Sequence, residues 1–245
     1  MRKIQRLDLP SRTKNALSRR QADADRKLAA HTLDVETAWK SARQTRPLKT
    51  ALGVLQAMAG NRQRCMYCGD SHGADIEHFW PKRRYPTRMF IWPNLLLCCT
   101  ECGRFKGEDF PMKNGSPLLV DPTADDPWEF LDFDPATGNI VARFDLTAND
   151  WTSKGINTVK VLHLDRREAL AAGYQQTHRR LKSLVEAALL RPPPAAMPLL
   201  TSLREADDHG LLGWCFHGSG QNMAPFSTLR ANHPDVWVRC TQSVF

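Results

Sequence analysis

Four of the seven cysteines in this 245-residue chain form two CxxC pairs, Cys65 with Cys68 and Cys99 with Cys102, and the other three are Cys98, Cys215 and Cys240. An odd count argues against a disulfide framework. A metal site explains the spacing better, because the thirty residues between the pairs can loop out while four thiolates converge tetrahedrally on zinc. Buried thiols or a redox couple are the other readings of a single CxxC, and two pairs together favour zinc. A zinc closed by four sulfurs keeps no open position, so it is expected to hold the fold rather than perform chemistry. Cys98 is expected on a strand facing the core, and Cys215 and Cys240 as small buried apolar side chains.

Between the pairs lie Asp75-Ile76-Glu77-His78-Phe79-Trp80-Pro81-Lys82 and Trp92-Pro93-Asn94-Leu95-Leu96-Leu97, and the second pair runs into Gly103-Arg104-Phe105-Lys106-Gly107. This succession resembles an HNH nuclease of the zinc-ribbon kind. More narrowly, Ile-Glu-His-Phe with Pro-Lys, then Trp-x-Asn-Leu-Leu-Leu, CxxC and Lys-Gly, resembles the HNH proteins of Septu-type antiphage systems, also found with some retrons. The motif covers about residues 65 to 111. Weaker likeness extends through Met1-Arg2-Lys3-Ile4, residues 157 to 167 and Pro225-Phe226-Ser227. The resemblance implies a metal-dependent endonuclease, a role in antiphage defence and a partner ATPase that restrains or directs it.

The residues support the same assignment physically, since phosphodiester hydrolysis needs a base for water, a cation on the phosphate oxygens and a positive groove. His78 is the candidate general base, through a neutral imidazole. Glu77, its strand neighbour, points the other way and suits a hard divalent cation, magnesium or another, through oxygen. Asn94 either orients His78 or braces the loop. Lys82, Arg83, Arg84, Arg104 and Lys106 suit phosphate contacts. Trp80, Trp92 and Phe105 read as core around the zinc rather than as base-stacking groups. One position departs from the HNH pattern: the residue after the fourth cysteine, usually a His or Asn metal ligand, is Gly103. Glu77 with phosphate and water, or a replacement from His72, Asp75 or Asp109, are the alternatives the sequence leaves open.

These residues need elements to position them. Short strands are expected around Ile76 and Leu95 to Leu97. Ser11 to His31 reads as a polar helix with Ser11 as N-cap, and Leu48, Leu52, Leu55 and Met58 trace a second helix ending at Gly60. Thr137, Gly138 and Asn139 signal a turn before a short strand at Ile140, Val141 and Phe144. Asp165 and Glu168 form a capping-box pattern ahead of a long helix whose face carries Leu170, Tyr174, Thr177, Leu181 and Leu184. Pro192, Pro193 and Pro194 must break that helix. Residues 199 to 245 have no legible pattern. The expected fold is α+β, a treble-clef-like ββα-metal core with a four-cysteine zinc site and added helices. Its expected regions are a basic helical front (1 to 60), the HNH core (61 to 115), a helical continuation (116 to 190) and a C-terminal region (191 to 245).

Charge supports an anionic partner. Lys plus Arg number 34 against 26 Asp plus Glu, and residues 1 to 60 alone hold 13 against 5, so the whole excess of +8 sits at the front. That block suits nucleic acid, the acidic face of a partner, or simply a solvated helix face. No apolar run reaches the length of a membrane span, and Met1 to Pro10 is basic and polar, so a cytoplasmic protein without membrane contact is expected. DNA is the favoured substrate. RNA, including tRNA, is the alternative, as is a zinc-stabilised binding or adaptor module that has lost activity at Gly103.

Overall fold

The computed structural model describes residues 1–191 and 194–243, and it separates into two compact units. One comprises Ile4–Tyr67 and Ser71–Asn114; the other comprises Met1–Lys3, Cys68–Asp70 and Gly115–Phe245. Pro192 and Pro193, expected to break the long helix, lie outside the described residues.

The first unit begins with three helices, α1 (Ser11–Ala29), α2 (Val35–Arg43) and α3 (Arg46–Met58). Ser11 is the first helical residue of α1, not its N-cap: Pro10 takes that place and no side chain caps the helix. Proline serves because its backbone carbonyl still accepts from the Thr13 and Lys14 amides. Although polar, α1 is held by Leu17 and by Gln21, which accepts from the Phe90 amide and donates to the Pro86 carbonyl. A buried amide side chain with both ends satisfied costs little and fixes orientation. In α3, Leu48 and Leu55 are buried and Leu52 and Met58 half-buried, and Gly60 adopts φ +81° just beyond, the left-handed backbone that favours glycine. Two antiparallel strands follow, β1 (Asp75–His78) and β2 (Leu95–Cys98), in the register Asp75 to Cys98 and His78 to Leu95. Every residue of β2 is buried, as expected of a four-residue apolar strand covered on both faces. Helix α4 (Thr100–Lys106) starts directly after it.

The second unit is mainly helical: α5 (Ser153–Leu162), α6 (Glu168–Leu189), α7 (Ala196–Ala206), α8 (Leu212–Phe216), α9 (Phe226–Asn232) and α10 (Pro234–Ser243). Leu131–Phe133 pairs antiparallel with Ile140–Ala142, and Phe144–Asp145 with Asp150–Trp151. Leu170, Tyr174, Thr177 and Leu181 of α6 are buried as the spacing predicts, while Leu184 is half-buried. The expected capping box is absent. Arg167 precedes α6 with no side-chain cap, and Asp165 instead pairs with its neighbour Arg166. The tail without legible pattern folds as α7 to α10, closing over Trp214, Phe216, Phe226 and Trp237. Cys215 and Cys240 are buried there. No helix among the described residues is long and apolar enough to cross a membrane.

Candidate metal centre and adjoining groove

Cys65, Cys68, Cys99 and Cys102 are all buried, and their sulfurs lie within 4.8 Å of one another. Among the described residues they are the only set of three or more His, Cys, Asp or Glu side chains close enough to share an ion. The arrangement fits a structural zinc. Cys99 is the N-cap of α4, and its sulfur accepts from the Cys102 amide at 3.4 Å, so the helix start folds the second CxxC around a common centre. The Cys65 amide donates to the Ser71 carbonyl and the Met66 amide to the Leu97 carbonyl, which ties the first pair to β2. Cys98, at the buried end of β2, keeps its proton: hydrogen bonding with Cys65 and Cys99, and then burial, push its thiol pKa up.

His78 closes β1 and is only 4% exposed. Its Nε2 lies 3.0 Å from the Met89 carbonyl, which can only accept, so Nε2 carries the proton and the Nδ1 lone pair makes no hydrogen bond among the described residues. Trp39 of α2 meets the ring edge-on at 4.3 Å. Burial lowers the imidazole pKa to about 3; the bond to the Met89 carbonyl opposes it, and the weaker fields of Lys82 and Lys106 add to the lowering. The ring is therefore neutral at physiological pH.

Glu77 and Lys106 form a pair beneath it. Lys106 is fully buried; its Nζ donates to Glu77 Oε1 at 3.1 Å and to the His78 carbonyl at 2.7 Å. Lys106 is thus an internal counterion and not the phosphate contact expected from its residue type. A lysine can be buried this way only with its charge matched. Burial raises the Glu77 pKa, with Lys106 opposing. Glu77 Oε1 also accepts from the His78 amide at 3.0 Å, so Oε2 remains. A Cβ added at Gly103 would sit 3.5 Å from that oxygen.

Asn94, also buried, accepts from the Trp80 amide at 2.7 Å and donates to the carbonyls of Trp80 and Arg88 at 3.1 and 2.9 Å. Of its two anticipated roles the structure shows loop bracing, and it fixes the segment whose Met89 carbonyl holds His78. Trp80 and Trp92 are half-buried: Arg88 lies 4.3 Å from the Trp80 ring, and Trp92 donates to the Leu7 carbonyl. Phe105 is half-buried as well.

A groove of about 310 Å³ is lined by Glu36, Trp39, Glu77, His78, Lys82, Arg83, Gly103 and Glu108 among others. Of the five anticipated phosphate contacts, it contains Lys82 and Arg83. Arg84 donates to the Glu108 and Phe110 carbonyls, and Arg104 is exposed on α4. His72, Asp75 and Asp109 are exposed and form no metal-binding set with Glu77 among the described residues. A larger cleft, about 480 Å³ beside α1 and α2, is lined by Arg19, Arg20 and Lys27 but holds no histidine or cysteine. Sequence reasoning missed α2, which brings Glu36 and Trp39 to the groove. The signal was present: Asp34 accepts from the Thr37 amide as N-cap, ahead of Val35, Ala38, Trp39 and Ala42 at helical spacing.

The chemistry available is a neutral imidazole with one open nitrogen, one open carboxylate oxygen and two cations around a shared hollow. No family model matches the chain. It is 31% identical over 122 residues to the Septu protein PtuB of Bacillus thuringiensis, covering 48% of this chain and 42% of that one. To the Septu protein PtuB of Bacillus mycoides (strain KBAB4) it is 32% identical over 136 residues, covering 43% and 44%. The chain thus matches less than half the length of each of these relatives, and the kinship with Septu proteins is distant.

Proposed function

We propose that the chain is a metal-dependent HNH-type endonuclease that hydrolyses phosphodiester bonds, DNA being the favoured substrate, and that it serves antiphage defence with an ATPase partner. The observation that carries this reading is the open Nδ1 of a buried, tautomer-locked His78 on a groove beside the four-cysteine cluster. The order strand, strand, helix around it is compatible with a ββα-metal core. The Septu relatives support the defence role and, through it, the partner.

His78 Nδ1 takes a proton from water aligned on phosphorus, while Nε2–H on Met89 prevents the ring from turning or changing tautomer. Its low basicity suits a base that starts unprotonated, and a phosphate entering beside Lys82 cancels part of the positive field that depresses it. Glu77 Oε2 fits a hydrated magnesium, which takes one or two carboxylates and keeps most of its remaining ligands as water and substrate oxygens. Bound there, it supplies positive charge to the phosphate and the departing oxygen. Gly103 adds no side-chain ligand. Lys82 and Arg83 hold a neighbouring phosphate.

The test is incubation of the zinc-loaded chain, with its partner, on duplex DNA and on tRNA with magnesium. Scission that His78→Ala abolishes supports the reading, and the scissile strand identifies DNA or RNA. Gly103 favours one second reading, a zinc-stabilised adaptor that binds nucleic acid without cutting. Retention on both substrates with no scission under any divalent ion establishes that reading instead.

A further inference from the structure

The two cations of the groove are already occupied. Glu36 Oε1 lies 3.0 Å from Lys82 Nζ and 2.8 Å from Arg83 Nε, and Glu108 Oε1 approaches the same Arg83 nitrogen at 3.2 Å. We propose that Lys82 and Arg83 form a phosphate subsite beside His78, and that Glu36 is its resident competitor, a carboxylate that a nucleic-acid backbone phosphate must displace. The inference rests on the nuclease reading and deepens it by naming a residue that sets substrate selectivity.

Three observations converge. Two donors from neighbouring positions meet on one anionic oxygen, which is the arrangement a phosphate oxygen requires. Glu36, Lys82, Arg83 and Glu108 line the same hollow as Glu77 and His78, so a phosphate there belongs to the same bound strand as the scissile one. Glu36 is also placed with care. It is the second residue of α2, whose start is fixed by Asp34 accepting from the Thr37 amide and hydroxyl, and it shares a face with Trp39, three residues on, whose ring packs on His78. The helix seated on the candidate base is therefore the helix that lays a carboxylate over the cations.

The pairs suit displacement. Lys82 is 22% exposed, Glu36 49% and Arg83 59%, so water screens their attraction and little stability depends on them. A strand that also engages the rest of the surface can replace the carboxylate, whereas a lone or badly placed phosphate gains too little. Glu36 thus acts chiefly on binding, which is measured apart from proton transfer when His78 is removed.

The experiment measures binding without turnover, in the zinc-loaded His78→Ala chain, by fluorescence anisotropy on a labelled DNA duplex and on tRNA across a salt series. Glu36→Gln keeps the shape and removes the charge. It is expected to tighten binding about three- to tenfold at low salt and to steepen the salt dependence by roughly one ion. In a Lys82→Gln/Arg83→Gln background the same substitution is expected to change affinity less than about twofold. Unchanged affinity in Glu36→Gln, or a gain that persists without the two cations, overturns the competitor role. If that happens while His78→Ala still abolishes scission by the otherwise native chain, the nuclease reading stands alone. Absence of binding by every variant to both nucleic acids overturns both.

Discussion

His78 and His209 are almost equally withdrawn from solvent, at 4% and 6% exposure, yet their ring nitrogens are engaged differently. His209 in the second unit has both nitrogens engaged: Nε2 lies 3.0 Å from Asp70 Oδ1, and Nδ1 lies 2.8 Å from Thr177 Oγ1. Arg180 donates to that threonine and pairs with Asp208, and the Tyr174 ring lies 4.9 Å away. Asp70, His209 and Thr177 have the residue types of a catalytic triad, but Thr177 is fully buried on α6, which leaves no room for a substrate at its hydroxyl in this structure and suits the trio to holding structure. His78 has one nitrogen anchored and one without a hydrogen bond among the described residues, and the residue lines a groove. Burial therefore does not separate the candidate base from a histidine held at both nitrogens; an unspent lone pair does.

The largest test of this contrast is removal of zinc. Chelation, or Cys99→Ser, is expected to forfeit about 10 kcal/mol of metal-coupled folding energy and to melt β1, β2 and α4, read by hydrogen exchange alongside elemental analysis. Retained amide protection at Glu77 and His78 without metal would separate the candidate base from the cysteines. Next comes the histidine pair itself. His78→Ala is expected to cut the cleavage rate by about a thousandfold, as for loss of a general base, whereas His209→Ala is expected to lose about 2 kcal/mol of stability while its folded fraction cuts normally. Equal effects on cleavage would erase the distinction.

Lys106→Met probes the floor of the groove. It strands the Glu77 carboxylate, so a loss of about 3 kcal/mol is expected in urea at about pH 7. The loss should be smaller at about pH 5, because a carboxyl whose pKa burial raises protonates more readily in the folded chain. An equal loss at both pH values would mean that Lys106 contributes packing alone. The smallest effect is acid sensitivity from His78. Its folded pKa is depressed to about 3, so the unfolded chain binds the proton first. Destabilisation is absent above the ordinary histidine pKa and grows as pH falls towards about 3. Between about pH 6.5 and 5 one such group costs about 2 kcal/mol. His78→Gln should remove that slope, and a slope unchanged by the substitution would assign it elsewhere.

Much of the local structure was legible because it depends on near neighbours. Cys65-x-x-Cys68 and Cys99-x-x-Cys102 announce through spacing a cluster able to hold a metal ion, Leu95 to Leu97 a buried strand through apolar continuity, and Leu170 to Leu181 a helix face through periodicity. The misreadings concern competition between neighbours. Ser11 and Asp165 have the residue types of caps, but a backbone carbonyl from Pro10 and an ion pair with Arg166 take those places. Lys106 has the type of a surface cation because lysine is usually solvated, and nothing local announces that α4 turns it inward onto Glu77.

Sequence alone determined which groups are available: four thiolates at knuckle spacing, an imidazole beside a carboxylate and a surplus of cations at the front. Tertiary structure decided which of them remain available. It anchored His78 Nε2 on a carbonyl eleven residues away, gave one oxygen of Glu77 to Lys106, and brought Glu36 across forty-seven positions onto Arg83. The physical reason is that a side chain's chemistry lies in the valences its partners leave open. Those partners come from distant segments, whose pairing is settled by the packing of the folded unit rather than by the residues on either side.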